Sequence, residues 1–171
     1  TDPGDEIIIP EPFYANYNGF STASGVTVVP VISKIEENFA LPSIEDFENL
    51  ITSKTKAILP TQLNGRCCDM DALRALAKKH DLIIIEDAAQ AIDSYYKGKA
   101  LGSIGDLGTF SFHETKNIQC GEGGLLSINN FCGKLRPEHV FSNSSACNRY
   151  PFFRSVGIGM NVFERIFACG P

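Results

Sequence analysis

No stretch of this chain approaches the ~20 consecutive apolar residues that a membrane-spanning helix needs. No signal-peptide pattern precedes the first strand-like segment, so a cytoplasmic protein without a membrane partner is expected. Basic excess is missing as well. Fifteen Lys and Arg stand against twenty Asp and Glu, a net charge of −5, which argues against a broad nucleic-acid footprint. The six cysteines are Cys67, Cys68, Cys120, Cys132, Cys147 and Cys169. They form no C-x-x-C pair, and none stands at zinc-type spacing from His80, His113 or His139. Reduced thiols and no metal are the expectation. A G-x-x-x-x-G-K-[ST] phosphate loop is also absent, so "LIIIED" at 82–87 has no Walker A partner. "GIGMNV" at 157–162 fails the G-x-G-x-x-G pattern at Val162.

What is there is an ordinary globular composition. The chain has 171 residues, 43% apolar and 20% charged, enough for one domain with a core. Glu6–Ile9 reads as a buried strand closed by Pro10, and residues 14–24 as a helix with Gly25 as its left-handed stop. Val26–Ile32 is β-branched and strand-like. Ser43 and Asp46 resemble a capping box ahead of a helix to about Ile51. Lys56–Leu59 reads as a third strand. Either Asp69 or Asp71 can open a helix that carries Leu73, Leu76 and Ala77 on one face. Lys78, Lys79 and His80 suit its negative end. Leu82–Ile85 is apolar throughout, as a strand covered on both faces must be. Thr109–Phe112 and Leu125–Ile128 complete the strands. Alternating strands and helices imply a parallel, doubly wound α/β sheet. Residues 1–130 carry this pattern. Residues 131–171 read as a less regular continuation of the same domain.

Both ends, "TDPGDEIIIP" and "ERIFACGP", read as cuts through a larger protein, the first entering a strand without lead-in and the second stopping without a cap.

In open α/β sheets, ligands gather beyond the carboxyl ends of the strands, where Asp87 stands. Four strings are unusual together: "DMDALRALAKKH" (69–80), "EDAAQ" (86–90), "GDLGTFSFHETKN" (105–117) and "GEGG" (121–124). Residues 55–130 resemble the DegT/DnrJ/EryC1/StrS sugar aminotransferases. "FSFHETKN" is most similar to the branch that makes TDP-4-amino-4,6-dideoxygalactose. Residues 3–31, "PGDEIIIPEPFYANYNGF…", look more like class I aspartate or aromatic aminotransferases. Both groups share one fold, the large domain of the pyridoxal-phosphate (PLP) transferases, with a mostly parallel sheet flanked by helices.

The resemblance implies PLP as cofactor and a role for each matched residue. Lys116 would form the Schiff base and then serve as proton carrier. Asp87 would face the pyridine nitrogen and keep it protonated. Gln90 would contact the ring near its 3-hydroxyl, although the position also suits a polar residue at a helix start. Ser111 would bind the phosphate, with Phe110 and Phe112 turned to the core. Tyr14 would stack on the ring, with Phe13 as the competing aromatic. Asn161 faintly matches an asparagine that reaches the phosphate of a partner subunit. Sites of this kind form between two subunits in the family, so the resemblance implies a homodimer. His113 takes no assigned role.

The implied reaction moves an amino group from an L-amino acid, glutamate in the family, to a nucleotide-linked keto sugar. An amino-acid aminotransferase and a non-catalytic fragment are the competing expectations. Sugar dehydratases of this family replace the lysine with histidine, which Lys116 contradicts. The family's Gly/Ser-rich turn upstream of "PGDE" and its C-terminal small domain are not in this sequence, so weakened PLP binding is expected.

Overall fold

The computed structural model describes residues 1–38 and 40–130. The expected regions 131–171, with Asn161, lie outside them. The chain opens with strand β1 (Glu6–Pro10), helix α1 (Asn16–Ala23) and strand β2 (Thr27–Val31). Helix α2 (Ile44–Asn49), strand β3 (Thr55–Ile58), helix α3 (Met70–His80) and strand β4 (Ile83–Asp87) follow. A small hairpin, β5 (Tyr95–Tyr96) and β6 (Lys99–Ala100), precedes β7 (Leu107–Ser111) and β8 (Gly124–Ile128). Among the described residues, no helix is long and apolar enough to cross a membrane.

Six strands form one sheet in the order β2-β1-β3-β4-β7-β8. The first five in that order run parallel. Helices cover both faces, and two cores result. Ile7, Ile9, Ala57, Leu59, Ile85 and Leu107 pack under Tyr17 and Phe20 of α1. Ile8, Ile58 and Ile84 pack under Phe47 of α2 and Leu73, Leu76 and Ala77 of α3. The alternation of Ile7, Ile8 and Ile9 between the two clusters is the period-2 pattern of a strand buried on both sides.

Local chemistry sets the helix ends. Ser43 and Asp46 form the expected reciprocal cap, with Asp46 N–H donating to Ser43 Oγ at 3.3 Å and Ser43 N–H to Asp46 Oδ2 at 3.0 Å. Asp69, not Asp71, caps α3, accepting from Ala72 N–H at 3.1 Å. Asp71 instead pairs with Lys97 at 2.5 Å. Gly25 takes the left-handed conformation after α1, at φ +68.

Details of the strands differ from expectation. Strand β4 runs on through Glu86 and Asp87, and β7 starts at Leu107 and ends at Ser111. The sheet is mostly parallel, as the resemblance implies, and the added detail is that β8 pairs antiparallel with β7. Residues 112–123 carry no helix to make the crossover that a parallel neighbour requires, so the chain doubles back. The hairpin was not legible as strands. It turns on Lys97 and Gly98, both at positive φ (+49 and +79), the geometry of a tight two-residue loop.

Candidate active site

Strands β1, β3, β4 and β7 end on one edge of the sheet, and β8 begins there. The segments that leave this edge enclose a cleft of about 570 Å³. Its lining includes Tyr14, Asp87, Gln90, Ser111 and Lys116, so the structure brings together five of the six residues singled out from sequence. Asn161, the sixth, lies outside the described residues.

Asp87 closes β4 and is 6% exposed. Its Oδ1 accepts from Ala89 N–H at 3.0 Å, and its Oδ2 accepts from Tyr17 O–H at 2.6 Å. Burial raises its pKa, while the Tyr17 and Ala89 hydrogen bonds and the charge of Lys116 pull the other way. A hydrogen bond to a charged group contributes about 1.5–3 kcal/mol. The acid and the amine therefore share one cleft and act on one another electrostatically.

Lys116 sits in the loop after β7, in a turn closed by Lys116 N–H donating to His113 O at 2.9 Å. His113 is held beside it, with Nδ1 3.0 Å from Thr115 Oγ1 and Nε2 3.5 Å from Glu122. Ser111 ends β7 at the cleft wall. Phe110 also lines the cleft while packing on the α3 core, so the two residues share the site instead of pointing apart as expected. Gln90 lies in a turn after β4, not at a helix start, and its Oε1 accepts from Asn64 N–H at 3.1 Å. That bond holds the carbonyl end of the amide on the 63–65 turn. Both Phe13 and Tyr14 line the cleft, and Tyr14 is 50% exposed there. Tyr14 meets Tyr17 edge to face, with ring centroids 5.8 Å apart.

Two residues of the site were not anticipated. Tyr17 is fully buried, and burial followed by Asp87 raises its pKa strongly, so it stays a hydrogen-bond donor. The sequence signal for it was the spacing Tyr14–Tyr17, three apart at a helix start and hence on one face. Thr61 Oγ1 is buried in the cleft wall, where its hydroxyl acts on Asp87 and lowers that acid's pKa. It follows β3 as Asp87 ends β4, and the two pair as an isolated bridge. A hydroxyl at the carboxyl end of a strand was the available clue.

Among the described residues, no group of three or more His, Cys, Asp or Glu is placed to hold a metal ion. Cys67, Cys68 and Cys120 are free thiols.

Comparison with known proteins agrees with this architecture. The family model for the DegT/DnrJ/EryC1/StrS aminotransferase family matches residues 1–162. GDP-perosamine synthase of Caulobacter vibrioides is 43% identical over 127 residues, covering 74% of this chain and 34% of that protein. The structure of S. venezuelae DesV in complex with a ketimine intermediate superposes with a TM-score of 0.72 at 34% identity, covering 98% of this chain and 45% of DesV. The PLP form of a putative sugar aminotransferase, Spr1654 from Streptococcus pneumoniae, superposes at 0.69 and 27% identity, covering 96% of this chain and 48% of that one. The chain spans less than half the length of these relatives. With the family model matched over nearly the whole chain, and the fold shared with solved sugar aminotransferases, this protein belongs to the DegT/DnrJ/EryC1/StrS aminotransferase family.

Proposed function

We propose that this chain forms the cofactor site of a PLP-dependent aminotransferase acting on a nucleotide-linked keto sugar, with an L-amino acid, glutamate, as amino donor. The observation that carries the reading is the meeting of Asp87 and Lys116 in one cleft at the carboxyl edge of the sheet. Had the fold set them on opposite faces, no single ring could lie between them.

The residues present fit PLP. A buried carboxylate, an amine, a half-exposed tyrosine and a buried hydroxyl all border the same space. Bound there, PLP would supply the electron sink that lets the carbon bearing the amino group lose its proton. Lys116 Nζ is the amine that would attach it and, once released by the donor, would take and return that proton. Asp87, ionised, would hold a proton on the ring nitrogen. The Gln90 NH₂ would donate to the ring 3-hydroxyl, and Ser111 Oγ would bind the phosphate. Tyr14 would cover one face of the ring and keep water from it, adding about 0.5–1.5 kcal/mol beyond area burial.

The sugar substrate rests on the name of GDP-perosamine synthase and on the match to Spr1654. We place the reaction in the cytoplasm and read the active unit as a homodimer, in which Asn161 would reach the neighbouring phosphate.

The test is incubation of the purified protein with PLP. An absorption band for lysine-bound cofactor, and a borohydride-fixed adduct on Lys116, are expected. A colourless, unmodified protein would mean that this chain is a fragment that keeps the fold without the function. Amino transfer from glutamate to a nucleotide-linked keto sugar is expected to exceed transfer to oxaloacetate. The reverse order would make this an amino-acid aminotransferase.

A further inference from the structure

Tyr17, the tyrosine of α1, is completely buried, and its hydroxyl donates to a carboxylate. It reaches Asp87 Oδ2 at 2.6 Å from the helix that follows β1, across the sheet from β4. Its ring supports Tyr14 edge-on, and Tyr14 faces the cleft. A buried phenol next to a buried carboxylate is a costly arrangement unless one donates to the other. The three residues form a continuous path from the exposed aromatic, through a buried ring, to the acid. Resting on the reading of the cleft as a PLP site, we infer that Tyr17 is a positioning residue, whose donated hydrogen bond aims Asp87 and compensates the burial of its charge.

The geometry explains why a second donor is needed. Ala89 N–H satisfies Oδ1 from the chain's own turn, only two residues away. Oδ2 has no such local partner and depends on a residue 70 positions earlier. Besides these two donors, Lys116 acts on Asp87 from the loop after β7 and the Thr61 hydroxyl from the segment after β3, both lowering its pKa. Glu86, the neighbouring acid on β4, is turned into the 102–105 loop and bonded there. With Tyr17 as phenylalanine, the ring that supports Tyr14 remains, and the donor to Oδ2 is lost. Asp87 would then hold its proton to higher pH. A neutral acid cannot pair with a protonated ring nitrogen.

The experiment is a carbon-13 NMR titration of the Asp87 carboxyl in cofactor-free protein, wild type against Tyr17→Phe, with Asp87→Asn assigning the resonance. The midpoint is expected to move upward in Tyr17→Phe. Identical titration curves overturn the inference. If Tyr17→Phe does not fold, 3-fluorotyrosine placed at position 17, a more acidic phenol of the same shape, is expected to move the midpoint downward, and an unmoved midpoint overturns the inference. Added PLP gives the functional readout: about tenfold weaker binding at neutral pH in Tyr17→Phe, with unchanged affinity counting against the proposal. The carboxyl titration needs no cofactor, so a wild-type protein that ignores PLP would sink the proposed function and leave this result standing on its own.

Discussion

Glu86 and Asp87 are consecutive residues of β4, and their carboxylates point into opposite halves of the molecule. Glu86 is fully buried and accepts four N–H donors: Gln62 Nε2 at 3.1 Å, Gly102 at 2.9 Å, and Ile104 and Gly105 at 2.6 Å each. Asp87 faces the cleft and takes Tyr17 and Ala89. Strand alternation makes this division automatic. One acid ties the loop 102–105 to the sheet, and the other borders the cleft.

Glu86→Ala is expected to destabilise the fold by about 3–5 kcal/mol, because it strands several buried donors at once. Glu86→Gln, which keeps the shape, is expected to cost less. Urea denaturation measures both, and an alanine variant as stable as wild type would show that the four donors find other partners.

Asp87 sets a pH dependence with a definite sign. Burial raises its folded pKa above the unfolded value, so the folded state binds the proton more tightly. Its contribution to stability is full below the unfolded value, about 4, and is lost as pH rises towards the folded one. In cofactor-free protein, Asp87→Asn is expected to lack this loss, by up to one proton's worth of slope. Thermal unfolding from pH 4 to 8 on both proteins checks it. The same variant is expected to bind PLP with an unprotonated ring nitrogen and to turn over poorly.

Lys116→Ala and Lys116→Arg are both expected to give no borohydride-fixed adduct, although the second keeps the positive charge. Turnover is expected to fall by about 10²–10⁴-fold. Mass spectrometry after reduction is the direct measurement. An adduct on another lysine would move the site elsewhere.

Ser111→Ala separates phosphate binding from ring binding. Loss of a hydrogen bond to a charged group corresponds to about tenfold in the dissociation constant. That loss is expected for PLP and not for pyridoxal, which has no phosphate. Equal losses for both ligands would place Ser111 against some other part of the ring.

Much of this was legible before any coordinates. Ser43–Asp46, the cationic last turn of α3 and the apolar run at 82–85 act through neighbours three or four residues away, so their outcome is local. The strand termini were less legible. Asp87 belongs to β4 because its N–H reaches Pro60 O, a partner 27 positions back (87 − 60), and no window of sequence contains that pairing. The direction of β8 is not legible for a similar reason: the run Leu125–Ile128 reads as a strand in either direction, and direction is set by the loop before it.

By itself the sequence determined which residue types stood at the ends of which strands, and with them an acid, an amine, a hydroxyl and an aromatic suited to one ring. Periodicity and motif spacing carry that much, because they depend on short stretches of chain. Only the tertiary structure decided that Tyr17 donates to Asp87, that Glu86 turns away from it, and that Phe110 shares the cleft with Ser111. Each of these is a contact between segments distant along the chain. Such contacts exist only once the sheet order has brought β1, β3, β4 and β7 side by side.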